Sequence, residues 1–525
     1  MLFNSSIFAL FFATFLPVYL LVRRNIFWRN VLLILSSYIF YGWWDARFLI
    51  LVAISTSVDY LAALGASGKP VRRVDCVKSV TFLAAVTVGS LVFARRDAWL
   101  SVPVLLGVLA ATAWIKVIRR APSERQPRLW LYLSLVTNLG ILAFFKYFNF
   151  FVGSFAALFN LFGAHVDFPT LSIILPVGLS FYTFQAISRT VDSYRRTFVP
   201  QYSIVNYAAY HAFFPQLVAG PIERAQRLMP QFESVRPLDL RTFTSGCLLF
   251  AWGLYQKIVV ADNCAPIADA VFAAPDGKSA AATLAALLAF TLQIYCDFCG
   301  YSNMARGLGR CLGFDLTANF NLPYFARTPS EFWQRWHISL STWLRDYLYI
   351  PLGGNRKGRG RMYGNLMVTM LLGGLWHGAA WNFVFWGGFH GAIQVLYRSL
   401  GIDALLERKT FFSSRGILIH LGAWASTIAL VMVGWVFFVA HSLPDTFTVL
   451  RNLWGTSGYP SDAFATLAAY ATPLLLVEIY QRASGQREIL NIGPFFVRYA
   501  AAISVVLTII AFSARGGRQF IYFDF

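Results

Sequence analysis

Residues 370–388 read MLLGGLWHGAAWNFVFWGG, a stretch that has no charged residue and contains one histidine, His377. A segment of this length and composition is long enough to enter a lipid bilayer as a helix. Comparable apolar runs lie near residues 2–22, 31–41, 48–64, 80–94, 100–115, 129–145, 148–163, 171–187, 204–220, 242–261, 281–296, 416–440, 463–479 and 496–512. The pattern predicts an all-α polytopic membrane protein with roughly 11 to 13 transmembrane helices and additional re-entrant or interfacial helices.

The composition supports the same fold class. Of the 525 residues, 57% are hydrophobic and 13% are charged, whereas soluble domains are about 25% charged. This composition excludes a disordered chain, a collagen-like fibre and a disulfide-rich module. The CxxC pair Cys296 and Cys299 lies in the apolar stretch QIYCDFCGY with no second CxxC. We therefore expect buried, apolar cysteines and no metal site.

The formal net charge of +20 comes from short basic clusters between the apolar runs. This distribution is typical of cytoplasmic loops in membrane proteins, so no nucleic-acid partner is expected. Arg23 and Arg24 follow the first apolar run, whereas a signal peptide carries its charge before that run. We therefore predict an uncleaved first span and an extracytoplasmic N-terminus.

The chain contains no soluble segment and no internal repeat that is visible in the sequence. We predict one integral membrane domain over residues 1–525. Within it, residues 1–170 would form N-terminal helices, residues 171–396 a catalytic core and residues 397–525 C-terminal helices.

Polar chemistry is concentrated in residues 297–361, the least lipid-like part of the chain. Residues 332–347 read FWQRWHISLSTWLRDY, and large apolar residues recur there at helical spacing. This spacing predicts one amphipathic helix, at an interface or beside a cavity. His337 lies one position past the apolar stripe, and an ionisable side chain within a membrane protein is by default a functional candidate.

His377 lies between glycines in its uncharged run. Because lipid cannot satisfy the ring nitrogens, this side chain must face a partner or an aqueous tunnel. Burial favours the neutral, proton-accepting form of histidine, which suits a general base. A structural hydrogen bond is the alternative, and His390 in the same run shows that His377 is not unique by pattern.

The loop PLGGNRKGRGRMYGN, residues 351–365, places four basic side chains among glycines. It lacks the Walker motif but could hold the phosphates of a nucleotide-like donor, or it could be only a positive-inside loop. Asp297 is an acid among apolar residues, and we expect it to pair with an arginine or to bond to backbone at a helix break.

These motifs resemble the membrane-bound O-acyltransferase family, in the bacterial branch typified by the alginate O-acetyltransferase membrane subunit and its relative in teichoic-acid D-alanylation. The combination of WHISLSTWLRDYLYIPLGG with LWHGAAWNF is highly specific. The matching stretches are LPVGLSFYTFQAIS (175–188), FFPQLVAGPIERA (213–225), QIYCDFCGY through IPLGGNR (293–356), LLGGLWHGAAWNFVFWGGFHG (371–391) and the C-terminal FIYFDF.

The resemblance implies a ring of transmembrane helices around a central tunnel, with a cytoplasmic acyl thioester and an acceptor hydroxyl entering from opposite faces. His377 matches the signature histidine, the implied catalytic base, and His337 matches the second functional histidine. Where the family usually has Phe, Ser and Asp, this chain has Cys296, Cys299 and Asn303. A cysteine nucleophile or ligand is therefore not expected at 296 or 299.

Further site residues follow from this reading. The expected tunnel and substrate-lining residues are Trp336, Trp376, Asn319, Asn321, Ser341 and Asn382. The candidates for the donor's phosphates are Arg345, Arg356, Lys357 and Arg359. Asp297 and Asp346 are expected to be structural. No metal and no tightly bound cofactor are expected, because acetyl-CoA or an acyl-carrier thioester would be a donor substrate.

The predicted function is transfer of an acetyl or similar small acyl group to a hydroxyl of an extracytoplasmic polysaccharide or relay protein, in the bacterial inner membrane. A periplasmic acetyltransferase of the SGNH-hydrolase type is an expected partner. The alternative is a proton-coupled transporter that uses intramembrane His and Asp residues. Such a transporter should show repeated halves and acids within several spans, and the sequence shows neither clearly.

Overall fold

The structure is a computed structural model that describes residues 1–94, 101–164, 166, 168–402, 405–406, 414–455, 458, 461–486, 495–514 and 518–521. Every regular element in these ranges is helical. The chain forms two compact units: unit 1 is residues 1–239 with 312–316, and unit 2 is residues 240–311 with 317–525. The segment predicted as the catalytic core, 171–396, therefore contributes residues to both units.

Unit 1 is built from helices α1 to α11. They are α1 (Ser6–Val22), α2 (Ile26–Asp45), α3 (Leu49–Ala66), α4 (Arg73–Ala94), α5 (Ser101–Arg120), α6 (Gln126–Leu142), α7 (Phe148–Leu161), α8 (Leu179–Tyr194), α9 (Ile204–His211), α10 (Phe214–Leu217) and α11 (Ala225–Glu233). Buried polar contacts join them. The guanidinium of Arg29 donates to the carbonyls of Phe232 at 2.8 Å and Ser234 at 2.7 Å, which ties α2 to the end of α11.

Unit 2 contains the two histidines that the sequence singles out. Its helices are α12 (Leu240–Tyr255), α13 (Asp262–Phe272), α14 (Ala280–Cys311), α15 (Pro329–Arg335), α16 (Ile338–Leu344), α17 (Gly358–His377), α18 (Trp381–Ser399), α19 (Ser414–Val439), α20 (Leu443–Asn452), α21 (Ser461–Ser484) and α22 (Phe495–Phe512). A buried aromatic core, with Trp336, Trp386 and Trp435 at its centre, lies among these helices.

The all-α polytopic membrane fold is confirmed. Seven helical stretches in the described residues are long and apolar enough to cross a membrane, and two shorter apolar helices accompany them. The seven are Ile26–Ala66, Arg73–Phe93, Gln126–Leu161, Leu240–Phe272, Ala280–Cys311, Gly416–Val439 and Asp462–Ser484. This count is below the expected 11 to 13 partly because stretches such as Ile26–Ala66 each contain two of the apolar runs.

The uncharged stretch 370–388 is divided between two helices. It includes the end of α17 and the start of α18, which are separated at Gly378–Ala380. The two helices are antiparallel and pack backbone to backbone. A Cβ atom added at Gly374 would lie 2.1 Å from the Phe383 carbonyl oxygen, and one at Gly387 would lie 2.2 Å from that of Met370. Glycine is therefore required at both positions.

The prediction of one continuous amphipathic helix over 332–347 is wrong. Helix α15 ends at Arg335 and α16 begins at Ile338, and the residues between them are not helical. Trp336 is extended (φ −101°, ψ 131°), and His337 is left-handed (φ 43°, ψ 54°). The apolar spacing reports burial of Phe332, Trp336 and Leu340, but it contains no signal for this break.

Candidate active site

His337 stands at the sharp bend between α15 and α16. Its left-handed backbone is uncommon for a residue with a side chain and costs roughly 1–2 kcal/mol, so neighbouring contacts must maintain it. The ring is fully buried, in a bend outside the seven membrane-spanning stretches. Burial lowers the pKa of His337 to about 3, so its imidazole is neutral at physiological pH.

A short segment, residues 319–321, holds this bend from both sides. The Asn321 N–H donates to the Arg335 carbonyl at 2.9 Å, and the Ile338 N–H donates to the Asn319 carbonyl at 2.9 Å. The Asn319 side-chain oxygen also accepts from the Ser339 N–H at 3.3 Å. Asn319 and Asn321, predicted to line a tunnel, thus contact the residues on either side of His337.

Helix α15 adds a charged brace to the bend. Thr328 caps the helix, its hydroxyl accepting from the Glu331 N–H at 3.1 Å, which gives α15 a fixed start. The Glu331 carboxylate accepts two bonds from Arg335, at 2.8 and 3.0 Å, and Arg335 donates onward to the Asn321 carbonyl at 3.0 Å. The chain from Glu331 through Arg335 to Asn321 therefore supports the segment that holds His337.

His377 is the last residue of α17, beside the turn at Gly378–Ala380. It is 4% exposed, and its ring centroid lies 6.4 Å from that of His337. The Trp376 ring packs beside both histidines, with its centroid 6.0 Å from the centroid of His337 and 5.0 Å from that of His377. Trp386 of α18 packs on His377 at 4.9 Å in an edge-on arrangement. The fold therefore brings the two predicted histidines together, within reach of one small reacting group.

A cavity of about 520 Å³ opens beside His377. Its wall is formed by Ser330, Trp333, Gln334, Ile338, Leu340, Ser341, Thr342, Leu344, Arg345, Tyr349, Leu366, Thr369, Met370, Gly373, His377, Trp386, Gln394 and Arg398. The volume is that of a small-molecule site, mostly apolar with a few polar groups. His377 can therefore meet a ligand that enters this cavity.

Of the other predicted lining residues, Ser341 belongs to this wall and the remaining five do not. Trp336 packs in the aromatic core, 4.9 Å from Trp435. Asn382 holds the start of α18, its amide donating to the Ala440 carbonyl at 2.6 Å. Trp376, Asn319 and Asn321 lie next to the histidines.

The four residues predicted to bind the donor's phosphates do not lie together. Arg345 lines the cavity and is paired with Asp346 at 2.7 Å. Arg356, Lys357 and Arg359 are exposed, in the turns before α17 and at its start, and are not part of the cavity wall.

Asp297 pairs with a lysine rather than an arginine, and it also accepts a backbone hydrogen bond. Lys257 lies 2.6 Å from Asp297 and 2.8 Å from Asp262. The Ile521 N–H donates to the other Asp297 oxygen at 2.7 Å. This buried cluster joins the π-helical turn Gln256–Ala261, the start of α13 and α14 to the C-terminal segment.

Sequence reasoning missed Trp386, Gln394 and Arg398 as cavity residues. A signal for them was present: Trp386, His390, Gln394 and Arg398 recur every four residues, which places them along one face of α18. Only the position of α18 against the 330–349 segment shows that this face borders a cavity.

Comparison with known proteins gives consistent results. The family model described as "MBOAT, membrane-bound O-acyltransferase family" matches residues 135–442. The chain is 41% identical over 446 residues to the probable alginate O-acetylase AlgI of Azotobacter vinelandii, covering 84% of this chain and 76% of that protein.

Two further relatives carry different acceptor names. The peptidoglycan O-acetyltransferase of Helicobacter pylori is 36% identical over 68% of this chain and 70% of its own length. The teichoic acid D-alanyltransferase of Streptococcus thermophilus is 25% identical over 64% of this chain and 77% of its own length. All three names describe transfer of a small acyl group.

Proposed function

Since the chain belongs to the membrane-bound O-acyltransferase family, it is a multi-pass membrane acyltransferase, and we propose that it moves an acetyl group from a cytoplasmic thioester to a hydroxyl of an extracytoplasmic polysaccharide or of a relay protein that serves it. The names of the relatives in Azotobacter and Helicobacter support acetyl as the acyl group and a cell-surface polymer as the acceptor. Family membership favours this enzyme over a proton-coupled transporter.

The observation that carries the proposal is the position of His377, which lines the cavity and lies 6.4 Å from His337 between ring centroids. A hydroxyl is a weak nucleophile at neutral pH and needs a base as it attacks. His377 accepts the hydroxyl proton while the oxygen attacks the thioester carbonyl. When the tetrahedral intermediate collapses, the carbon–sulfur bond breaks and His377 returns the proton to the leaving thiolate, so His377 regains its neutral form.

His337 has a supporting role in this scheme. As a neutral imidazole held rigidly in its bend, it can donate one hydrogen bond to the oxygen that becomes negative in the intermediate. The brace through Asn319, Asn321 and Arg335 fixes the direction of that bond. Preorganised donors of this kind are effective because they need no reorganisation during the reaction.

The proposal also covers the acyl donor, the membrane location of the chain and its protein partner. Arg345 lines the cavity and could meet an anionic donor, whereas a donor role for the exposed Arg356, Lys357 and Arg359 rests on sequence alone. The donor is acetyl-CoA or an acyl-carrier thioester. We further propose the bacterial inner membrane as the location, an extracytoplasmic N-terminus, and a periplasmic SGNH-hydrolase-like acetyltransferase as the protein that passes acetyl to the polymer.

The test uses protein purified in nanodiscs and radiolabelled acetyl-CoA or acetyl-phosphopantetheinyl carrier protein. Thioester loss is followed with and without the periplasmic partner, for wild type, His377→Ala and His441→Ala. His441 is an exposed histidine outside the site and is the matched control. Loss that needs His377 and not His441 supports the proposal. Equal turnover by wild type and His377→Ala would overturn the assignment of the base.

A further inference from the structure

The charged side chains of the cavity wall are all basic. The wall includes two arginines, Arg345 and Arg398, and no aspartate or glutamate. Arg345 is largely exposed and its guanidinium is paired with Asp346. Arg398 is half-buried in the last turn of α18, and within the described residues no acid forms an ion pair with it. The cavity therefore carries a positive charge suited to an anionic ligand.

The two ends of the cavity wall on α18 are far apart. Trp386, which packs on His377, and Arg398 are twelve positions apart on one helix, a distance of about 18 Å at 1.5 Å per residue. Gln394 lies between them on the same face and also lines the cavity. A ligand that meets both His377 and Arg398 must be long, with its reactive group and its anionic group at opposite ends.

The cavity wall also offers neutral hydrogen-bond donors. The indole N–H groups of Trp333 and Trp386 and the hydroxyl of Ser330 have no hydrogen-bond partner among the described residues, and all three residues line the cavity. A buried donor is costly to leave unpaired, so a ligand with carbonyl acceptors fits this region.

We propose that Arg398 is the residue that binds the phosphate of the donor's phosphopantetheine arm. This inference rests on the proposed function, because the thioester must lie at His377. The amides of the arm then face Ser330, Trp333 and Gln394, and the phosphate meets Arg398. An arginine is well suited to a phosphate, since its guanidinium can donate two parallel hydrogen bonds.

The direction of entry favours the donor over an anionic acceptor. Helices α17 and α18 are antiparallel, so the start of α17 and the end of α18 lie at the same end of the pair. Basic residues outnumber acidic ones at both places. Around the start of α17 they are Arg356, Lys357, Arg359 and Arg361 with no acid, and from the end of α18 onward they are Arg398, Arg408 and Lys409 beside Asp403 and Glu407. The positive-inside rule assigns that end to the cytoplasm, where acyl thioesters are made.

The first experiment measures binding without turnover. Dissociation constants of phosphopantetheine and pantetheine, which differ only by the phosphate, are compared on nanodisc-held wild type, Arg398→Gln and Arg451→Gln. Arg451 is the control, an exposed arginine in the last turn of α20 and outside the cavity wall. Wild type should prefer phosphopantetheine by about ten- to a hundredfold, the range for a hydrogen bond to a charged group. Arg398→Gln should lose that preference and Arg451→Gln should keep it.

Two results would overturn the inference. One is equal affinity of wild type for the two probes, and the other is equal weakening of both probes in Arg398→Gln, which would mark a structural role at the end of α18. Measuring the turnover of acetyl-phosphopantetheine and of acetyl-pantetheine distinguishes a failure of this inference from a failure of the proposed function. If His377→Ala abolishes turnover of both while Arg398→Gln changes neither KM, the acyltransfer assignment stands and the role of Arg398 falls.

Discussion

The ring centroids of His337 and His377 lie 6.4 Å apart, and each histidine stands at a point where a helix is interrupted. His337 occupies the bend between α15 and α16, and His377 ends α17 beside the turn into α18. His337 is the residue before the first turn of α16 and His377 is the last residue of α17, so each ring stands at a helix end. The site is thus built from two helix breaks that face each other within one unit.

The left-handed backbone at His337 allows the ring and the strain to be tested separately. His337→Ala and His337→Asn both remove the imidazole, but asparagine tolerates the left-handed region better than alanine. We expect both variants to lose most acetyl transfer. The alanine variant should also be less stable than the asparagine variant, by about 1 kcal/mol. Thermal unfolding in detergent beside a transfer assay measures both quantities.

An active His337→Asn variant would contradict the need for an imidazole at this position. Equal melting temperatures of the two variants would indicate instead that the bend stores no strain. The segment 319–321 gives a further check, because Asn319→Ala removes the side-chain acceptor of the Ser339 N–H. That variant should lower kcat more than it raises KM, since it displaces His337 and leaves the cavity wall unchanged.

The glycines between α17 and α18 give a prediction about stability. A Cβ atom at Gly374 would lie 2.1 Å from the Phe383 carbonyl oxygen, whereas one at Gly364 of the same helix would meet nothing within 4 Å. Gly374→Ala should therefore separate the helix pair, lower the melting temperature and reduce transfer. Gly364→Ala should be neutral or slightly stabilising, by up to about 1 kcal/mol, because alanine is the better helix former. Similar melting temperatures for the two variants would contradict this packing.

The brace at α15 predicts a dependence on pH. Burial acts to raise the pKa of Glu331, but the Arg327 N–H and the Arg335 guanidinium hold it below its usual value. Since the folded pKa is depressed, the unfolded chain binds the proton more readily. The stabilisation is complete above the ordinary glutamate pKa and is lost as the pH falls through the folded value.

The measurement is the melting temperature of wild type and Glu331→Gln between pH 7 and pH 3.5. Wild type should lose more stability than the variant across this interval, because the variant has no carboxylate to protonate. If the melting temperatures of the two proteins fell in parallel with pH, Glu331 would not be a cause of the acid sensitivity. Acetyl transfer near pH 4 should also fall more in wild type than in Glu331→Gln, because Arg335, the partner of Glu331, holds the segment beside His337.

The sequence was sufficient for the fold class and singled out the two histidines as candidates, but it was not sufficient for the geometry between them. Hydropathy and basic loops depend only on composition along the chain, so the membrane fold is visible without a structure. The break at His337 is imposed by backbone bonds from residues 319–321, which are distant in sequence and have no periodic signal. Arg398 could not be recognised for a similar reason. Its spacing on α18 is regular, but the cavity that gives it a role depends on the facing segment 330–349.

Trp386 links the site to the aromatic core and gives the last prediction. Its ring lies 4.9 Å from both His377 and His390. Trp386→Ala would leave a void worth roughly 3–5 kcal/mol of stability and would release His377 from one side. Trp386→Phe keeps most of the packing and should retain the fold with reduced transfer, because the phenyl ring cannot donate to a ligand in the cavity. Trp454→Ala is the control, since that side chain is 90% exposed and its loss should change neither stability nor transfer. Full activity in Trp386→Ala would show that His377 needs no support from α18, and the site would then have to be explained by α15 to α17 alone.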